Sequence, residues 1–452
     1  MLSAHLSISW LFRHSIPALI ALVYVLLLFE SHQAQGIPVE SYLYLHGLAS
    51  LLLLGYWIAV YLNKSKGCLQ APTAWTVLFW SAIYHLIGVF GVPILEDDFY
   101  RYLLDGCVFA HQGSPYGIPP SALFLDNQLS SDCNYALTWV NSPDLATIYG
   151  PTLQYIFLFA HWIDPGNIRI LQIVFSLLDL ILIALMLRLA RPIYVVLYAW
   201  SPLVIKEIAF TSHPDIVGIL LIMLAWVCIR SPRYFLVAAL SCGLAVGSKV
   251  FALIIVPFVF YQMKWRLGLR YVIVTLLTIC LLYLPFITHQ HTDFSILTVF
   301  ASSWTFNASV FYFTQMLVGD SAARLISILA FAIFWLAYCY WYYHRSKIEP
   351  KPVIPSGDIL FGVFFLLGPV FNPWYLIWLL PFAVIRPKMW SWTLATCASL
   401  SYLTGVNLTD SSLAAYEVST PAAVIQYGLV IFALLLDCLK AQKRPRNASL
   451  QH

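Results

Sequence analysis

Three consecutive carboxylates, Glu96, Asp97 and Asp98, directly follow a hydrophobic run that ends at Leu95. Carboxylates this close repel one another, and loss of water near lipid raises a carboxyl pKa toward the range in which the group can act as a general base. The same residue types also favour the first turn of a helix through capping and the helix dipole. The residues alone therefore leave two interpretations open, a catalytic cluster and an ordinary solvated helix start.

Beyond Asp97 the polar residues are spaced as on one face of a helix. Four of them recur at intervals of three and four residues, namely Asp98, Arg101, Tyr102 and Asp105. A second face carries the apolar residues Phe99, Leu103 and Val108. Arg101 could pair with Asp97 one turn earlier, a contact worth on the order of a few tenths of a kcal/mol. We predict an amphipathic helix lying on the outer leaflet of a membrane and ended by the Gly and Pro residues of 113–117.

The elements that position these residues are predicted to be membrane-spanning helices. The chain has 452 residues, of which 61% are hydrophobic and only 10% are charged, and its mean hydropathy is +0.81. A soluble domain has about 25% charged residues, and here the apolar residues also form runs of membrane-spanning length. We predict an all-α polytopic membrane protein that forms a single domain over residues 1–452, with roughly eleven to thirteen transmembrane helices.

Basic clusters between the apolar runs orient the chain. If all of them, including those at 64–66 and 440–446, lie in the cytoplasm, the C-terminus is inside and the acidic string is outside. Two outer regions, 93–147 and 288–319, are then long enough to carry chemistry. The segment 148–163 is marginal for a span, and whether it crosses stays open. The net charge of +4 gives no indication of nucleic-acid binding.

Two apolar runs contain residues that a straight helix does not tolerate. The run 234–261 is interrupted by glycines and by Lys249, and the run 359–381 contains a Gly-Pro and an Asn-Pro pair. We predict a broken helix in each. A lysine in an apolar stretch is expensive and functional by default, although its long side chain can also reach the membrane interface.

The nine cysteines include no CxxC pair, so they give no support for a metal site. Cys107 and Cys133 share the first outer region and could pair in an oxidising compartment. We favour the interpretation that both are unpaired small hydrophobic residues.

The acidic string resembles the first extracytoplasmic loop of GT-C glycosyltransferases, most closely of the bacterial enzymes that use polyprenyl-phosphate-linked mannose. The resemblance rests on residues 96–106 and 111–116, which are similar to the acidic pair, Arg-Tyr, Trp-Asp-Gly and Gly-Asn-Pro-Tyr of that branch. This chain has Leu104 in place of the Trp, Ser114 in place of the Asn, and Gly150 in place of the first Pro of a Tyr-Pro-Pro stretch.

Five later segments extend the resemblance over most of the chain. They are Trp200-Ser201-Pro202 with Lys206-Glu207, His213-Pro214-Asp215, Lys249, and the aromatic segments 304–307 and 372–375. Each has a plainer explanation, since Trp, Tyr and His are common at membrane interfaces. What supports these segments is that all of them are predicted to lie on the same side of the membrane.

The resemblance implies a hexosyltransferase, with mannose as the expected sugar. The donor would be a polyprenyl-phosphate-linked sugar and the acceptor a glycolipid or glycan, on the outward face of a bacterial inner membrane. An inverting single displacement needs one base rather than the two carboxylates of retaining chemistry. We expect Asp97 to be that base, with Asp98 as the alternative.

The remaining candidate site residues are expected to bind substrate: Arg101, Tyr102, Asp105, His213, Asp215, Lys249, Trp374 and Tyr375. A sugar phosphate needs donors and positive charge, which Arg101, His213 and Lys249 could supply. Trp374 and Tyr375 could shape the donor cavity. The resemblance implies no cofactor and no metal, although three carboxylates could bind a divalent ion.

Two other classes of function compete with a glycosyltransferase. A transporter or flippase of a lipid-linked saccharide would suit the broken helices and the intramembrane residues Lys249 and Asp179. It predicts related halves in the sequence, and none is visible. A purely structural or assembly role predicts spans without buried charge, contrary to Lys249.

Overall fold

The protein is represented by a computed structural model that describes residues 2–33, 36–63, 70–124, 130–287, 292–349, 353–408 and 412–442. The basic positions 64–66 and 443–446, used above to orient two helices, lie outside these residues. Across the described ranges the structure is helical, with two isolated β-bridges, Phe306–Val370 and Thr404–Val418, and no strand. The all-α prediction is confirmed.

The helices of the described chain are, in order, α1 (Leu2–Ser31), α2 (Val39–Asn63), α3 (Ala74–Val89), α4 (Asp98–Gln112), α5 (Ser131–Trp139), α6 (Pro151–Ile163), α7 (Arg169–Leu189), α8 (Pro192–Ala199), α9 (Pro202–Ile205), α10 (Asp215–Cys228), α11 (Phe235–Ser248), α12 (Val256–Phe260), α13 (Trp265–Ile287), α14 (Asp293–Ser303), α15 (Val310–Val318), α16 (Asp320–Ile348), α17 (Gly357–Leu367), α18 (Leu376–Ile385), α19 (Met389–Cys397) and α20 (Thr420–Gln442). Short 3-10 turns connect several of them, and α9 continues as a π-helix over Lys206–Phe210.

Within the described part of the chain, six helices are long and apolar enough to cross a membrane: α1 from Arg13 onwards, α2, α7, α13, α16 and α20. A seventh span would be the pair Pro192–Ala199 and Pro202–Phe210, which is bent by 48°. The prediction of a polytopic membrane protein is therefore confirmed. Five shorter apolar stretches lie at α3, α10, Pro232–Ser248, α17 and Pro373–Ile385. The predicted total of roughly eleven to thirteen is reached only if these also cross.

Both predicted helix breaks are present. Helix α11 ends at Ser248, and Lys249 is extended with φ −156° and ψ 136° before a 3-10 turn begins at Val250. Helix α17 ends at Leu367, and helical structure resumes only at Pro373. Proline lacks the backbone donor that an uninterrupted helix needs, which explains the second break.

The predicted amphipathic helix is present as α4, which begins at Asp98 and ends before Gly113, where φ is 73°. Its position on the membrane surface stays a prediction, but protein rather than lipid covers its apolar face. Phe99, Leu103 and Val108 are all buried in the core of the molecule. The helix packs between α5 and α6, and every residue from Arg101 to Phe109 is buried.

A disulfide links Cys107 on α4 to Cys133 on α5, with a Cα–Cα distance of 5.9 Å. The expectation that these two cysteines are unpaired is therefore wrong. The sequence could not decide the pairing, because the pairing depends on how α5 packs against α4 in the tertiary structure. The bond fixes α5 against the C-terminal part of α4.

The start of α6 packs directly against the end of α11. A Cβ atom added at Gly150 would lie 2.2 Å from the carbonyl oxygen of Gly247, so only a residue without a side chain fits there. This contact brings the segment before α6 close to the break that carries Lys249.

Candidate active site

The acidic string lies between α3 and α4 and leads into α4 at Asp98. Leu95 has a positive φ of 56°, an uncommon conformation for a residue with a side chain, and such strain persists only where the surrounding structure holds it. Asp97 is the N-cap residue of α4, yet its side chain makes no capping hydrogen bond. The interpretation of the acidic string as a solvated helix start would have this carboxylate cap the helix, and it does not.

Asp97 and Asp98 lie side by side and share one donor. The Nδ2 atom of Asn141 lies 2.6 Å from Oδ1 of Asp97 and 2.8 Å from Oδ1 of Asp98. Both carboxylates are partly buried. Asn141 was not singled out in the sequence, where it is one polar residue of a loop without a local signal.

Burial raises the pKa of both carboxyl groups. The pKa of Asp97 is raised above its usual value, and the Asn141 hydrogen bond opposes that rise. Burial, and then the charge of Asp97, raises the pKa of Asp98 to about 6, while Asn141, Lys249 and Arg101 act in the opposite direction. A carboxylate with a pKa in this range is a stronger base than an ordinary one and is still ionised near neutral pH.

Arg101 supports the loop that carries Asn141. Its guanidinium donates to the backbone carbonyl oxygens of Asn141 (2.9 Å), Ser142 (3.1 Å) and Leu145 (3.0 Å). The arginine is itself buried. These contacts explain its place one turn after Asp97, and a contact between Arg101 and a donor phosphate stays a prediction.

Asp105 anchors the segment before α6 to α4. Its Oδ2 atom accepts hydrogen bonds from the Thr147 hydroxyl and from Nε2 of Gln154, the latter at 2.8 Å. Burial raises the pKa of this carboxyl to about 6, which Arg101 and the two hydrogen bonds oppose. Its described contacts hold two neighbouring side chains, and substrate binding by Asp105 stays a prediction.

Tyr102, His213 and Trp374 form one contiguous group of side chains. All three were predicted to be site residues. The Tyr102 hydroxyl lies 3.2 Å from Nδ1 of His213, and Oε2 of Glu207 lies 3.3 Å from Nε2. The imidazole stacks on the Trp374 indole with ring centroids 4.1 Å apart. Tyr102 and Glu207 therefore lie at opposite nitrogens of the imidazole.

Asp215, Lys249 and Tyr375 form a second group beside the first. Lys249 Nζ lies 2.7 Å from Oδ1 of Asp215, which also accepts from the Trp378 indole at 2.6 Å. The same ammonium lies 4.4 Å from the centroid of the Tyr375 ring. The Lys249 side chain keeps 19% of its surface exposed, whereas Asp215 keeps 1%.

A third group, which the sequence did not identify as a site, connects the acidic string to the C-terminal half. Lys206 Nζ lies 3.1 Å from Glu207 Oε2, 2.6 Å from the Tyr402 hydroxyl and 3.9 Å from Glu96 Oε1. Lys206 and Glu207 are fully buried and belong to the π-helix, a conformation frequent at functional sites. The Lys206-Glu207 pair within an apolar run could have indicated this group from the sequence. No sequence pattern around Tyr402 indicates that it belongs to the group.

Two further polar clusters lie apart from the carboxylate pair. Asp179, considered above as an intramembrane charge, is paired with His85 at 2.9 Å and accepts from the Tyr198 hydroxyl at 2.6 Å. Among the described residues, Cys107, His111 and His161 are the group with metal-ligand spacing, with ligand atoms within 4.8 Å of one another. The disulfide occupies the Cys107 sulfur, and the predicted absence of a metal stays a prediction.

The structure thus brings a partly buried carboxylate pair, a partly exposed ammonium and a set of aromatic rings together at the ends of α3, α10 and α11. Residues 3–264, more than half of the chain, match the family profile described as alpha-(1->6)-mannopyranosyltransferase, N-terminal domain, of the MptA_B family. The chain belongs to this family. Comparison with curated proteins and with solved structures gives no match.

Family membership makes the protein a GT-C mannosyltransferase, as the resemblance implied, and removes support from the transporter interpretation. The matched residues include the carboxylate pair, His213 and Lys249. Trp374, Tyr375 and Tyr402 lie beyond the match, so their place in the site rests on the contacts described above.

Proposed function

We propose that this mannosyltransferase takes mannose from a polyprenyl-phosphate donor and transfers it to a hydroxyl of a glycolipid or glycan acceptor. The observation that carries the proposal is the pair Asp97 and Asp98, partly buried at the start of α4 and electrostatically coupled to Lys249. A lipid-linked sugar has its phosphate at the membrane surface and its sugar just beyond it, which is where such a pair would act.

The reaction is a single displacement with inversion. The acceptor hydroxyl gives its proton to the Asp97 carboxylate while its oxygen forms a bond to the anomeric carbon. The bond between that carbon and the phosphate oxygen breaks, and its electron pair stays on the phosphate, so that polyprenyl phosphate leaves. The raised pKa of Asp97 favours the proton transfer, and one base is enough for this stereochemistry.

Lys249 is the first choice for binding the donor phosphate. Its ammonium is partly exposed, whereas His213 is fully buried and Arg101 is buried and bonded to the loop backbone. Asp215 and the Tyr375 ring hold the ammonium in place from the protein side. The leaving phosphate gains a negative charge that this cation would stabilise.

The outward face of a bacterial inner membrane is the proposed location of the site. The disulfide between Cys107 and Cys133 supports this, because such bonds form and persist in oxidising compartments and are rare in the cytosol. The basic clusters between spans point the same way.

The test uses the purified full-length protein in lipid nanodiscs with polyprenyl-phosphate mannose and extracted membrane acceptors. Release of polyprenyl phosphate is followed for the wild type, for Asp97→Asn, for Asp98→Asn and for the control Asp164→Asn, which changes an exposed carboxylate. We expect wild-type and control turnover with a severe loss in Asp97→Asn. Full turnover in both site variants would exclude the carboxylate pair as the source of the base, and no turnover by the wild type would exclude this donor.

A further inference from the structure

Asn141 occupies a place for which neither the sequence nor the family match assigns a role. It lies in the segment between α5 and α6, and its one amide nitrogen faces both Asp97 (2.6 Å) and Asp98 (2.8 Å). An asparagine amide has two N–H donors, one for each carboxylate. A carboxylate only accepts when ionised, so this contact favours the ionised forms.

Hydrogen bonds to the backbone of residues 141–142 hold the Asn141 side-chain amide in place. Arg101 donates to the carbonyl oxygens of Asn141 and of its neighbour Ser142, which has a positive φ of 45°. Arg101 is itself part of α4, the helix that begins directly after Asp97. The donor and the two acceptors are therefore fixed to the same helix, and the amide needs no reorganisation to reach them.

We propose that Asn141 is a positioning residue that holds Asp97 and Asp98 side by side and keeps a carboxylate ionised and available as the base. This inference rests on the proposed function for its catalytic meaning. The contact itself brings two like charges together, which would otherwise separate or take up a proton. Asn141 thereby offsets part of the cost of burying the pair.

The other ionisable groups around the pair come from several elements. Cations are supplied by Arg101 on α4 and Lys249 after α11. Glu96 precedes the pair, Tyr102, Tyr149 and Tyr375 face Asp98, and Tyr100 and Tyr416 face Asp97. The tyrosines have raised pKa values and stay neutral below pH 9, so they do not titrate with the carboxylates.

The experiment compares pH profiles of kcat/KM for the wild type, Asn141→Ala and Asn141→Ser between about pH 5 and about pH 9. Loss of a donor to an ionised group raises its pKa, so we expect the acid limb of Asn141→Ala to move up by about one pH unit. Activity should recover toward high pH. Asn141→Ser, which keeps one donor, should shift less.

Asn167→Ala is the matched control. It removes an Asn-to-Asp hydrogen bond of 2.7 Å to Asp164 at an exposed site away from the pair, and its profile should match the wild type. An unchanged acid limb in Asn141→Ala, or an equal loss at every pH, would overturn the positioning role.

A second readout separates this inference from the proposed function. Infrared titration of protonated carboxyl groups, with Asp97→Asn and Asp98→Asn to assign the bands, measures the pair without any substrate. An upward shift in Asn141→Ala supports the inference even if no transfer from the polyprenyl donor is found. Titration identical to the wild type overturns it even if transfer is confirmed.

Discussion

At the scale of single residues, the site depends on adjacent carboxylates in unequal surroundings. Asp97 and Asp98 share the Asn141 donor, and burial raises the pKa of both. The charge of Asp97 opposes the ionisation of Asp98, because like charges repel one another. The shared Asn141 amide offsets part of this repulsion.

Replacing each member of the pair should have a different effect. We expect Asp97→Asn to lower kcat by roughly 10³-fold, because the base is lost. Asp98→Asn should keep measurable turnover, and its acid limb should move to lower pH because a like charge beside Asp97 is removed. Steady-state rates across pH check both expectations. Equal losses in the two variants, without a shift, would contradict the assignment.

Transfer should proceed without a divalent metal. The Asn141 amide and the Lys249 ammonium already compensate the negative charge near the pair, so a metal ion has less to add. Turnover of protein treated with a chelator should equal that of untreated protein, with and without added Mg²⁺ or Mn²⁺. Activity that disappears on chelation and returns with one of these ions would show a metal requirement.

At the scale of elements, α4 and the loop before α6 form one unit. Arg101 and Asp105 fasten the loop to the helix, and the disulfide at Cys107 fastens α5 to it. The amphipathic pattern of α4 is real, but its polar face binds backbone and side chains of other segments. The helix thus serves as the frame on which the acidic string is held.

Arg101→Ala should destabilise this unit, because three backbone carbonyls lose their donor. We expect a loss in the free energy of unfolding on the order of 3 kcal/mol. Arg101→Lys should recover little of it, since an ammonium lacks the planar fork. Thermal unfolding in nanodiscs measures the effect, and Arg233→Ala, at an exposed arginine, is the control. A melting temperature equal to the control's would contradict the role.

At the scale of the whole molecule, three groups of contacts join distant parts of the chain at the site. Lys206 meets Tyr402, His213 stacks on Trp374, and Lys249 meets Tyr375. In each contact the first residue lies in the part that matches the family and the second lies beyond it. The C-terminal half therefore completes a site whose carboxylates come from the N-terminal half.

The orientation of the molecule can be tested with single cysteines. Ala122→Cys adds a thiol at an exposed position in the first outer region, and native Cys438 is exposed on α20 near the predicted inner end. In intact cells, an impermeant maleimide should label Ala122→Cys and should leave Cys438 unmodified until the membrane is permeabilised. The reverse pattern would place the acidic string in the cytoplasm.

Local sequence patterns predicted a large part of this architecture. Hydropathy predicted the membrane helices, Lys249 and the prolines predicted the two breaks, and residue spacing predicted the amphipathic helix α4. These features depend on neighbouring residues and on the preference of the backbone for internal hydrogen bonds in lipid. They could therefore be read without knowing how the chain folds back.

Only the tertiary structure decided what surrounds the acidic string. The sequence placed Glu96, Asp97 and Asp98 at the head of a helix, but not Asn141, more than forty positions later, between two of them. It also favoured unpaired cysteines where the structure has a disulfide, and it did not predict that protein would cover the apolar face of α4. Such contacts join segments far apart in the chain, and their partners are set by packing and loop return, which leave no periodic signal in the sequence.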